Sequence, residues 1–327
     1  MFSARVFLAI VAIAFAISPP SANAQAWPAK QVSIVVSYPP GQSIDIVARL
    51  IASRLAPALG VPVLVDNRPG AGGTIGTGQV ARSAPDGYTL LFASPGPITV
   101  SPALRPTELR YDPVKDFELV NVMATIAQVF MVNPSFPVNN IADLIALAKK
   151  QPGNISFASS GIGSTQHLLM EMFASKAGIK LNHVPYKGSS PATIDLVGGR
   201  IPLMSDVMSI AEPLVKSGKA RAIAVSSIKR QPLLPNVPTL DEQGITGFNE
   251  TSWYAILAPT GTPAAVLDRL SAEIAKVIEE PEIKNRLKDM GLVLKTETRK
   301  DVDWPKFIHA DIEKLRKIVA EANIKME

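Results

Sequence analysis

The stretch VSYPPGQSIDIVARL, residues 36–50, joins a buried strand to an amphipathic helix through a short turn. The apolar run ends at Tyr38, two prolines fix the turn, and Gly41 leaves room for a ligand beside the backbone. Apolar residues then recur at helical spacing, which predicts a helix from about Ser43 with Ser43 as its N-cap. A strand that leads into a helix in this way is the repeating unit of an α/β fold.

Segments of the same two kinds alternate along most of the chain. Strand-like runs are VSIVVSY, VPVLVDN and YTLLFAS in the first third, and NISFASS, LNHVPY, IPLMSD and ARAIAVS in the middle. After one more strand-like run, SWYAILAP, the periodicity predicts helices over 263–279, 281–290 and 302–322. Alternation of strands and helices predicts an α/β fold with mainly parallel sheets flanked by helices.

The length of 327 residues and the recurrence of this pattern predict two domains with a cleft between them. We expect the late strand to return to the first sheet. The first domain then comprises residues 25–122 plus 248–327, and the second comprises residues 123–247. The chain would cross between them near 119–125 and 246–252, and these crossings would form a hinge.

The N-terminus is typical of a secretory signal peptide, residues 1–24. Arg5 is followed by the uncharged run VFLAIVAIAFAI and then by small residues, with cleavage after Ala24 and a second fitting site after Ala26. The apolar run is too short to cross a bilayer core of about 30 Å as a helix. We therefore expect export to a bacterial periplasm.

Composition excludes several classes of site. The chain has no Cys, which removes disulfides, thiol nucleophiles and thiolate metal ligands. The formal net charge of +5 is spread without a long basic block, so neither nucleic acid nor a membrane surface is an expected partner. The segment RPGAGGTIG lacks the G-x-G-x-x-G spacing of dinucleotide sites, and we expect no cofactor.

A second strand-to-helix turn, SSGIGSTQH at residues 159–167, repeats the elements of the first, with a helix cap expected at Ser164. In open α/β sheets, ligands bind beyond the carboxyl ends of the strands, where helix N-termini present N–H groups and partial positive charge. Such a terminus suits an anion. We therefore expect the two turns to face each other across the cleft. Taken alone, either turn is equally consistent with a connection between a strand and a helix that has no ligand-binding role.

Residues for catalysis are scarce. The three His are His167, His183 and His309, and the chain contains no G-x-S-x-G elbow, H-E-x-x-H pair or clustered metal ligands. We predict neither an enzyme nor a metal site. His167 either donates to a ligand carboxylate or braces its turn, whereas His183 and His309 are expected to be structural or solvated. Asp45 is expected to hold loop amides rather than to pair with a ligand ammonium group.

Six motifs in order resemble those of the Bug family, the periplasmic solute receptors of tripartite tricarboxylate transporters. They read SYPPGQSID, DNRPGAGG, APDGYTLL, SSGIGSTQH, HVPYKG and LPNVPTLDEQG, and the match runs from about residue 28 to the C-terminus. The resemblance implies a two-domain periplasmic-binding-protein fold, a Venus flytrap that closes on a small carboxylate. It also implies that loop amides, hydroxyls and ordered waters hold the ligand without an obligatory Arg.

Carried over to this sequence, the two turns form the jaws of the site. Four residues at further strand ends, Ser94, Pro95, Tyr186 and Asp206, either complete the pocket wall or simply close the sheets. The full set of candidate ligand-binding residues is Tyr38, Pro40, Gly41, Gln42, Ser43, Asp45, Ser94, Pro95, Ser159, Ser160, Gly161, Gly163, Ser164, Thr165, His167, Tyr186 and Asp206.

Two departures from the family pattern bear on specificity. Gln42 stands where the family has a second Gly, and Tyr38 stands where it has Phe. The additional donor and acceptor of Gln42 favour a hydroxylated, amidated or aromatic carboxylate over a simple four-carbon dicarboxylate.

The resemblance implies a receptor that delivers a small carboxylate to the membrane subunits of a tripartite tricarboxylate transporter. We expect a monomer, because a hinge-bending receptor needs neither an interface nor symmetry. A receptor that presents the ligand to a sensor kinase would use the same fold, and the sequence leaves that alternative open. A periplasmic enzyme with His167 and Asp206 as an acid–base pair is a second alternative.

Overall fold

The computed structural model describes residues 27–321, so the signal peptide predicted at residues 1–24 and the predicted helix end at Ala322 lie outside the described residues. Ten strands of this part form one curled, mixed sheet. The strands are β1 (Val32–Val36), β2 (Val63–Asn67), β3 (Thr89–Ala93), β4 (Phe117–Val132), β5 (Ser156–Ser159), β6 (Asn182–Pro185), β7 (Leu203–Val207), β8 (Arg221–Val225), β9 (Thr251–Pro259) and β10 (Leu292–Thr298).

Helices follow most strands, as the alternation predicts. They are α1 (Ser43–Leu59), α2 (Thr74–Ala81), α3 (Ser101–Leu104), α4 (Ile141–Lys150), α5 (Thr165–Lys176), α6 (Ser189–Val197), α7 (Met208–Lys216), α8 (Ala264–Glu279), α9 (Pro281–Asp289) and α10 (Trp304–Glu321). On α1, the apolar residues Val47, Ile51 and Leu55 are buried at helical spacing. None of the helices within residues 27–321 combines the length and apolar character needed to cross a membrane.

The sheet has two halves, which form two lobes. In the first, β1 pairs in parallel with β2 and β3, and β9 lies antiparallel between β3 and β4. In the second, β5 pairs in parallel with β6 and β7, while β7 and β8 pair antiparallel with β4. Parallel pairing is therefore found at the outer strands, and antiparallel pairing surrounds β4.

Strand β4 links the two lobes. Its 16 residues pair with β9 as far as Ala127 and with β7 from Gln128 onward, so one continuous strand passes from one half of the sheet to the other. The sequence pattern predicts a crossing within 119–125 but predicts neither β4 nor β10. Because most of β4 is buried on both faces, it lacks the alternating pattern that marks a half-exposed strand.

Candidate ligand-binding cleft

The two strand-to-helix turns meet at one cavity of about 40 Å³, a volume sufficient for a few water molecules. Both lobes contribute to its wall. The lining residues are Tyr38, Gln42, Ser43, Ile44, Ser94, Gln128, Ser160, Thr165, Gln166, Ser189, Asp206, Val207, Ser252 and Tyr254. No Lys, Arg or His of the described chain is among them, so apart from Ile44 and Val207 the wall is formed by neutral polar groups and a single carboxyl group.

Asp45 holds the first turn in place. Its Oδ2 accepts a hydrogen bond from the Gly41 backbone N–H at 2.9 Å, and its Oδ1 accepts from Asn67 Nδ2 at 2.9 Å and from Arg49 Nε at 3.0 Å. Burial pushes the pKa of Asp45 upward, but these hydrogen bonds hold it below its usual range. Asp45 therefore braces the loop amide, as its position in the first helical turn suggested.

Ser43 is not the N-cap of α1, which corrects the sequence prediction. Helix α1 begins at Ser43, and Gln42 is the N-cap without a capping hydrogen bond from its side chain. The Ser43 hydroxyl is used differently, because it accepts a hydrogen bond from Ser209 of the second lobe at 2.7 Å. Both Gln42 and Ser43 thus present their side chains to the cavity.

The second turn has the cap that the sequence predicted. Ser164 Oγ accepts a hydrogen bond from the His167 backbone N–H at 3.3 Å, and α5 begins at Thr165. Ser164 itself is fully buried and does not line the cavity, whereas Ser160 and Thr165 do. The Ser160 hydroxyl donates to Gln166 Oε1 at 2.7 Å, which orients the Gln166 amide.

His167 does not line the cavity and stacks on His183 with 3.9 Å between ring centroids. Its Nδ1 accepts a hydrogen bond from the Gly163 N–H at 3.3 Å. Burial lowers the pKa of His167 to about 4, helped by the charge of Arg105, and burial beside His167 lowers that of His183 to about 3. Both rings are therefore neutral at pH 7, and His167 braces its turn.

Asp206, at the end of β7, carries the carboxyl group of the cavity. Its Oδ1 accepts from the Val207 N–H at 2.8 Å and from Gln166 Nε2 at 3.3 Å. Burial raises the pKa of Asp206 to about 6, a rise limited by Ser189 and by the Val207 and Gln166 hydrogen bonds. Since His167 does not line this cavity, the two residues do not form the acid–base pair that an enzyme would need.

Tyrosines close the cavity on the side of the first lobe. Burial raises the pKa of Tyr38 to about 12, with a smaller opposing effect of Ser94. Burial likewise raises the pKa of Tyr254 above its usual range, opposed by Ser43. Both phenols stay protonated at neutral pH and can therefore donate hydrogen bonds.

The lobes contact each other around this cavity. Besides the Ser209 to Ser43 hydrogen bond, Ser101 Oγ donates to the Gly163 carbonyl at 3.4 Å. Gly72 in the RPGAGG turn packs so closely on the second turn that a Cβ atom there would lie 2.5 Å from the Ile162 carbonyl oxygen. The described conformation is therefore closed.

A larger groove of about 670 Å³ lies beside the cavity and shares Tyr38 and Ser160 with it. The glycine-rich turn, the second turn and Tyr186 also line this groove. Tyr186 does not reach the cavity, because its hydroxyl donates to Asp195 Oδ2 at 2.8 Å. The two spaces together form the cleft between the lobes.

The structure brings seven of the sequence-predicted residues into the cavity wall: Tyr38, Gln42, Ser43, Ser94, Ser160, Thr165 and Asp206. The others support the wall or lie outside it. Pro40 and Gly41 are exposed in the first turn, Pro95 starts a helical turn, and Ser159 Oγ contacts His183 Nε2 at 2.6 Å. Gly161 lines the groove instead.

Sequence reasoning missed Gln128, Gln166, Ser189, Ser252 and Tyr254. Gln128 is the most informative, since its Oε1 accepts from the Ser205 hydroxyl at 3.1 Å and its Nε2 donates to Ser252 Oγ at 3.4 Å, where β4 changes partners. A single Gln within the apolar run ATIAQVFM was the available signal. Across residues 27–321, no group of three or more His, Asp or Glu is arranged to hold a metal ion.

A two-lobed α/β fold with a polar cavity between the lobes is the architecture of a solute-binding protein. The family model described as "Tripartite tricarboxylate transporter family receptor" (TctC) matches residues 47–324. The chain therefore belongs to this family, which confirms the resemblance seen in its motifs.

Individual relatives agree with this family. BugT of Bordetella pertussis is 37% identical over 279 residues, covering 85% of this chain and 84% of BugT. The periplasmic binding protein BugD matches at 35% identity with a TM-score of 0.86, covering 92% of this chain and 100% of BugD.

Two further structures contain ligands. Rpa4515 of R. palustris with adipate has a TM-score of 0.86 at 34% identity, with 91% of this chain and 99% of that one covered. MatC of Rhodopseudomonas palustris with bound malate has a TM-score of 0.85 at 29% identity, with 90% and 100% covered. These similarities make the chain a solute-binding protein of a periplasmic family rather than an enzyme.

Proposed function

We propose that this protein captures a small organic carboxylate between its lobes and delivers it to the membrane subunits of a tripartite tricarboxylate-type transporter. The observation that carries the proposal is the meeting of two helix-leading turns at one buried polar cavity. Helices α1 and α5 both begin at its wall, and helix N-termini favour an anion. Similarity to proteins solved with adipate and malate supports the carboxylate class.

Binding is expected to rely on neutral donors. The hydroxyls of Ser43 and Thr165 and the phenol of Tyr254 line the cavity, and no cationic side chain of residues 27–321 does. A hydrogen bond to a charged acceptor contributes roughly 1.5–3 kcal/mol, so a few such donors suffice for useful affinity. Closure of the lobes excludes water and strengthens each of these contacts.

The cavity of about 40 Å³ is far smaller than a typical ligand pocket of roughly 300–1,000 Å³, so the lobes must separate to admit a ligand. A ligand that contacts both turns interacts best with a nearly closed form and shifts the population toward it. For this motion we propose the domain division 25–122 plus 248–327 and 123–247. The change of strand partner between Ala127 and Gln128 lies within a few residues of one proposed boundary.

We further propose that a signal peptide, residues 1–24, exports the chain to the periplasm, as the function requires. Mass spectrometry of the protein secreted to the periplasm would then give an N-terminus at Gln25. An N-terminus at Trp27 would identify the alternative cleavage after Ala26.

Thermal-shift measurements test the carboxylate proposal. Protein of residues 25–327 is unfolded and refolded to remove bound ligand, and is then screened against mono-, di- and tricarboxylates and aromatic acids, with amines, sugars and nucleotides as comparison. A ligand at 100 times its Kd stabilises the fold by about 2.7 kcal/mol. Selective stabilisation by a carboxylate, weakened in Ser43→Ala but not in Ser217→Ala, is the expected result. A shift with a sugar, amine or nucleotide and with no carboxylate would contradict the proposal.

The ligand ranking should depend on Gln42. Gln42→Gly restores the residue that the family pattern has at this position and removes one donor and one acceptor from the cavity wall. We expect the preference for hydroxylated, amidated or aromatic acids over simple dicarboxylates to decrease in this variant. An unchanged ranking in the same thermal-shift screen would show that Gln42 has no part in selecting the ligand.

A further inference from the structure

Two polar atoms in the cavity have no hydrogen-bond partner in the described part of the chain. They are the amide nitrogen Nε2 of Gln42 and the carboxyl oxygen Oδ2 of Asp206. Their residues are 6% and 1% exposed, and both line the cavity from opposite lobes. A buried polar group without a partner is unfavourable, so each atom indicates a complementary group on the ligand.

The neighbouring contacts determine which oxygen of Asp206 is available. Oδ1 already accepts from the Val207 N–H and from Gln166 Nε2. The Gln166 amide is itself oriented, because its Oε1 accepts from the Ser160 hydroxyl. The Ser189 hydroxyl lies close enough to the Asp206 carboxyl group to limit the rise of its pKa, but Oδ2 has no hydrogen-bond partner within the described residues. Oδ2 is therefore the oxygen left for a ligand, and as a carboxylate oxygen it can only accept a hydrogen bond.

The charge of the cavity also favours a ligand N–H group beside Asp206. Among the residues that the structure describes, Asp206 carries the one carboxyl group in the wall, and no cationic side chain there balances it. A second ligand carboxylate placed beside Oδ2 would meet a like charge in a site of low dielectric, where repulsion is strong. An N–H group in the same position would instead satisfy the buried oxygen.

We propose that the ligand is a carboxylate that also carries an ammonium or amide N–H group, with the N–H donating to Asp206 Oδ2 and a ligand oxygen accepting from Gln42 Nε2. This inference rests on the proposed function, because it concerns the same cavity and assumes a carboxylate ligand. It narrows the substrate class from organic acids in general to nitrogen-bearing acids, and it makes Asp206 the residue that selects them.

Matched ligand sets test this assignment. For chain lengths of four to six carbons, each set contains the dicarboxylate, its monoamide and its α-amino derivative, beginning with succinate, succinamate and aspartate. Binding to refolded protein is measured by calorimetry at pH 7. In the set of the preferred length, we expect at least tenfold tighter binding of a nitrogen-bearing member than of the dicarboxylate.

The variant Asp206→Asn exchanges one oxygen for an amide nitrogen and keeps an oxygen to accept from Val207 and Gln166. It turns the free acceptor into a donor. The tenfold preference for the nitrogen-bearing member should disappear or reverse in favour of the dicarboxylate. Asp143→Asn, on a helix that contributes nothing to the cavity, is the matched control and should keep the wild-type preference.

The outcomes separate this inference from the proposed function. If dicarboxylates bind as well as their nitrogen-bearing partners, and Asp206→Asn changes nothing while remaining folded, the inference is wrong and the carboxylate receptor stands. If no carboxylate from any set binds or shifts the melting temperature, both fail. Both nitrogen-bearing members should bind more weakly at pH 5 than at pH 7, because protonation of Asp206 removes the charged acceptor. The ranking of aspartate against succinamate at pH 7 identifies whether the site takes the ammonium or the amide form.

Discussion

Ser209 of the second lobe donates a hydrogen bond to Ser43 of the first at 2.7 Å, directly beside the cavity. Ser209 lies in the first turn of α7, and Ser43 is the first residue of α1. The contact therefore joins the starts of two helices that belong to different lobes. It holds the cleft closed with neutral groups, whose interaction does not change with pH in the physiological range.

Removal of this contact should favour the open form. A neutral hydrogen bond contributes about 0.5–1.5 kcal/mol net, so Ser209→Ala should lower the ratio of closed to open molecules roughly 2- to 12-fold. Small-angle X-ray scattering of the ligand-free protein would then give a larger radius of gyration. Ser217→Ala, which removes a hydroxyl bonded to the Pro213 carbonyl near the far end of the same helix, should scatter like the wild type. Equal scattering by both variants would exclude this role for Ser209.

Gly72 should be required for full closure. A Cβ atom at this position would lie 2.5 Å from the Ile162 carbonyl oxygen, a backbone atom that cannot rotate away. Gly72→Ala should therefore hold the lobes apart and weaken ligand binding at least tenfold, measured by calorimetry with the carboxylate found in the screen.

The control for Gly72→Ala is Gly178→Ala. Gly178 has φ of +63° and Gly72 has +65°, so the two substitutions cause similar backbone strain. Around Gly178, however, a Cβ atom would meet no atom within 4 Å. The control should therefore lose a similar amount of stability and keep its affinity. A loss of affinity in both variants would mean that strain, not lobe contact, is responsible.

Acid should destabilise the second turn through its stacked histidines. Burial lowers the pKa of His167 to about 4 and that of His183 to about 3. In the unfolded chain the pKa of His is about 6.5. At pH values below about 6.5 the unfolded chain therefore binds more protons than the folded protein. Stability is fully present above about pH 6.5 and is lost as pH falls toward 4. Chemical denaturation from pH 7 to pH 4 should show a weaker decline for His167→Gln. His309→Gln, on the exposed surface of α10, should decline like the wild type.

In the ligand-free protein, the contribution of Asp206 to stability should change with pH in the opposite direction. Burial raises the pKa of Asp206 to about 6, so ionisation of this group opposes folding. The stabilising effect of the protonated form is present below about pH 4 and is lost as pH rises through 6. Asp206→Asn does not ionise, and its stability relative to wild type should increase from pH 4 to pH 7 by on the order of 3 kcal/mol. A constant difference across this range in urea unfolding would show that Asp206 does not titrate in the cavity.

Local features of the fold were predictable from short stretches. Helix α1 follows from apolar residues at helical spacing, and the cap at Ser164 follows from a Ser before a helical run. The bracing role of Asp45 was also predictable, because a carboxylate in the first helical turn is close to loop amides. Each of these depends on residues within about five positions of one another, so sequence order alone brings them together.

Strand β4 could not be predicted from short stretches of the sequence. Its residues alternate poorly between apolar and polar, since most of them are buried on both faces by helices and by the two lobes. Its pairing partners β7, β8, β9 and β10 lie far away in the chain. Only the N-cap role predicted for Ser43 was wrong, and the contact that its hydroxyl makes instead, with Ser209 at a distance of 166 positions in the chain, could not be predicted locally.

The sequence by itself determined the family, the α/β class and the two turns that lead into α1 and α5, because these depend on local composition and spacing. Only the tertiary structure decided that Gln42 and Asp206 share one cavity with unpaired atoms and that His167 stays outside it. The physical reason is the register of β4 with β7 and β9, which sets how the lobes meet. The set of residues that lines the cavity depends on that long-range pairing, which no single stretch of the chain encodes.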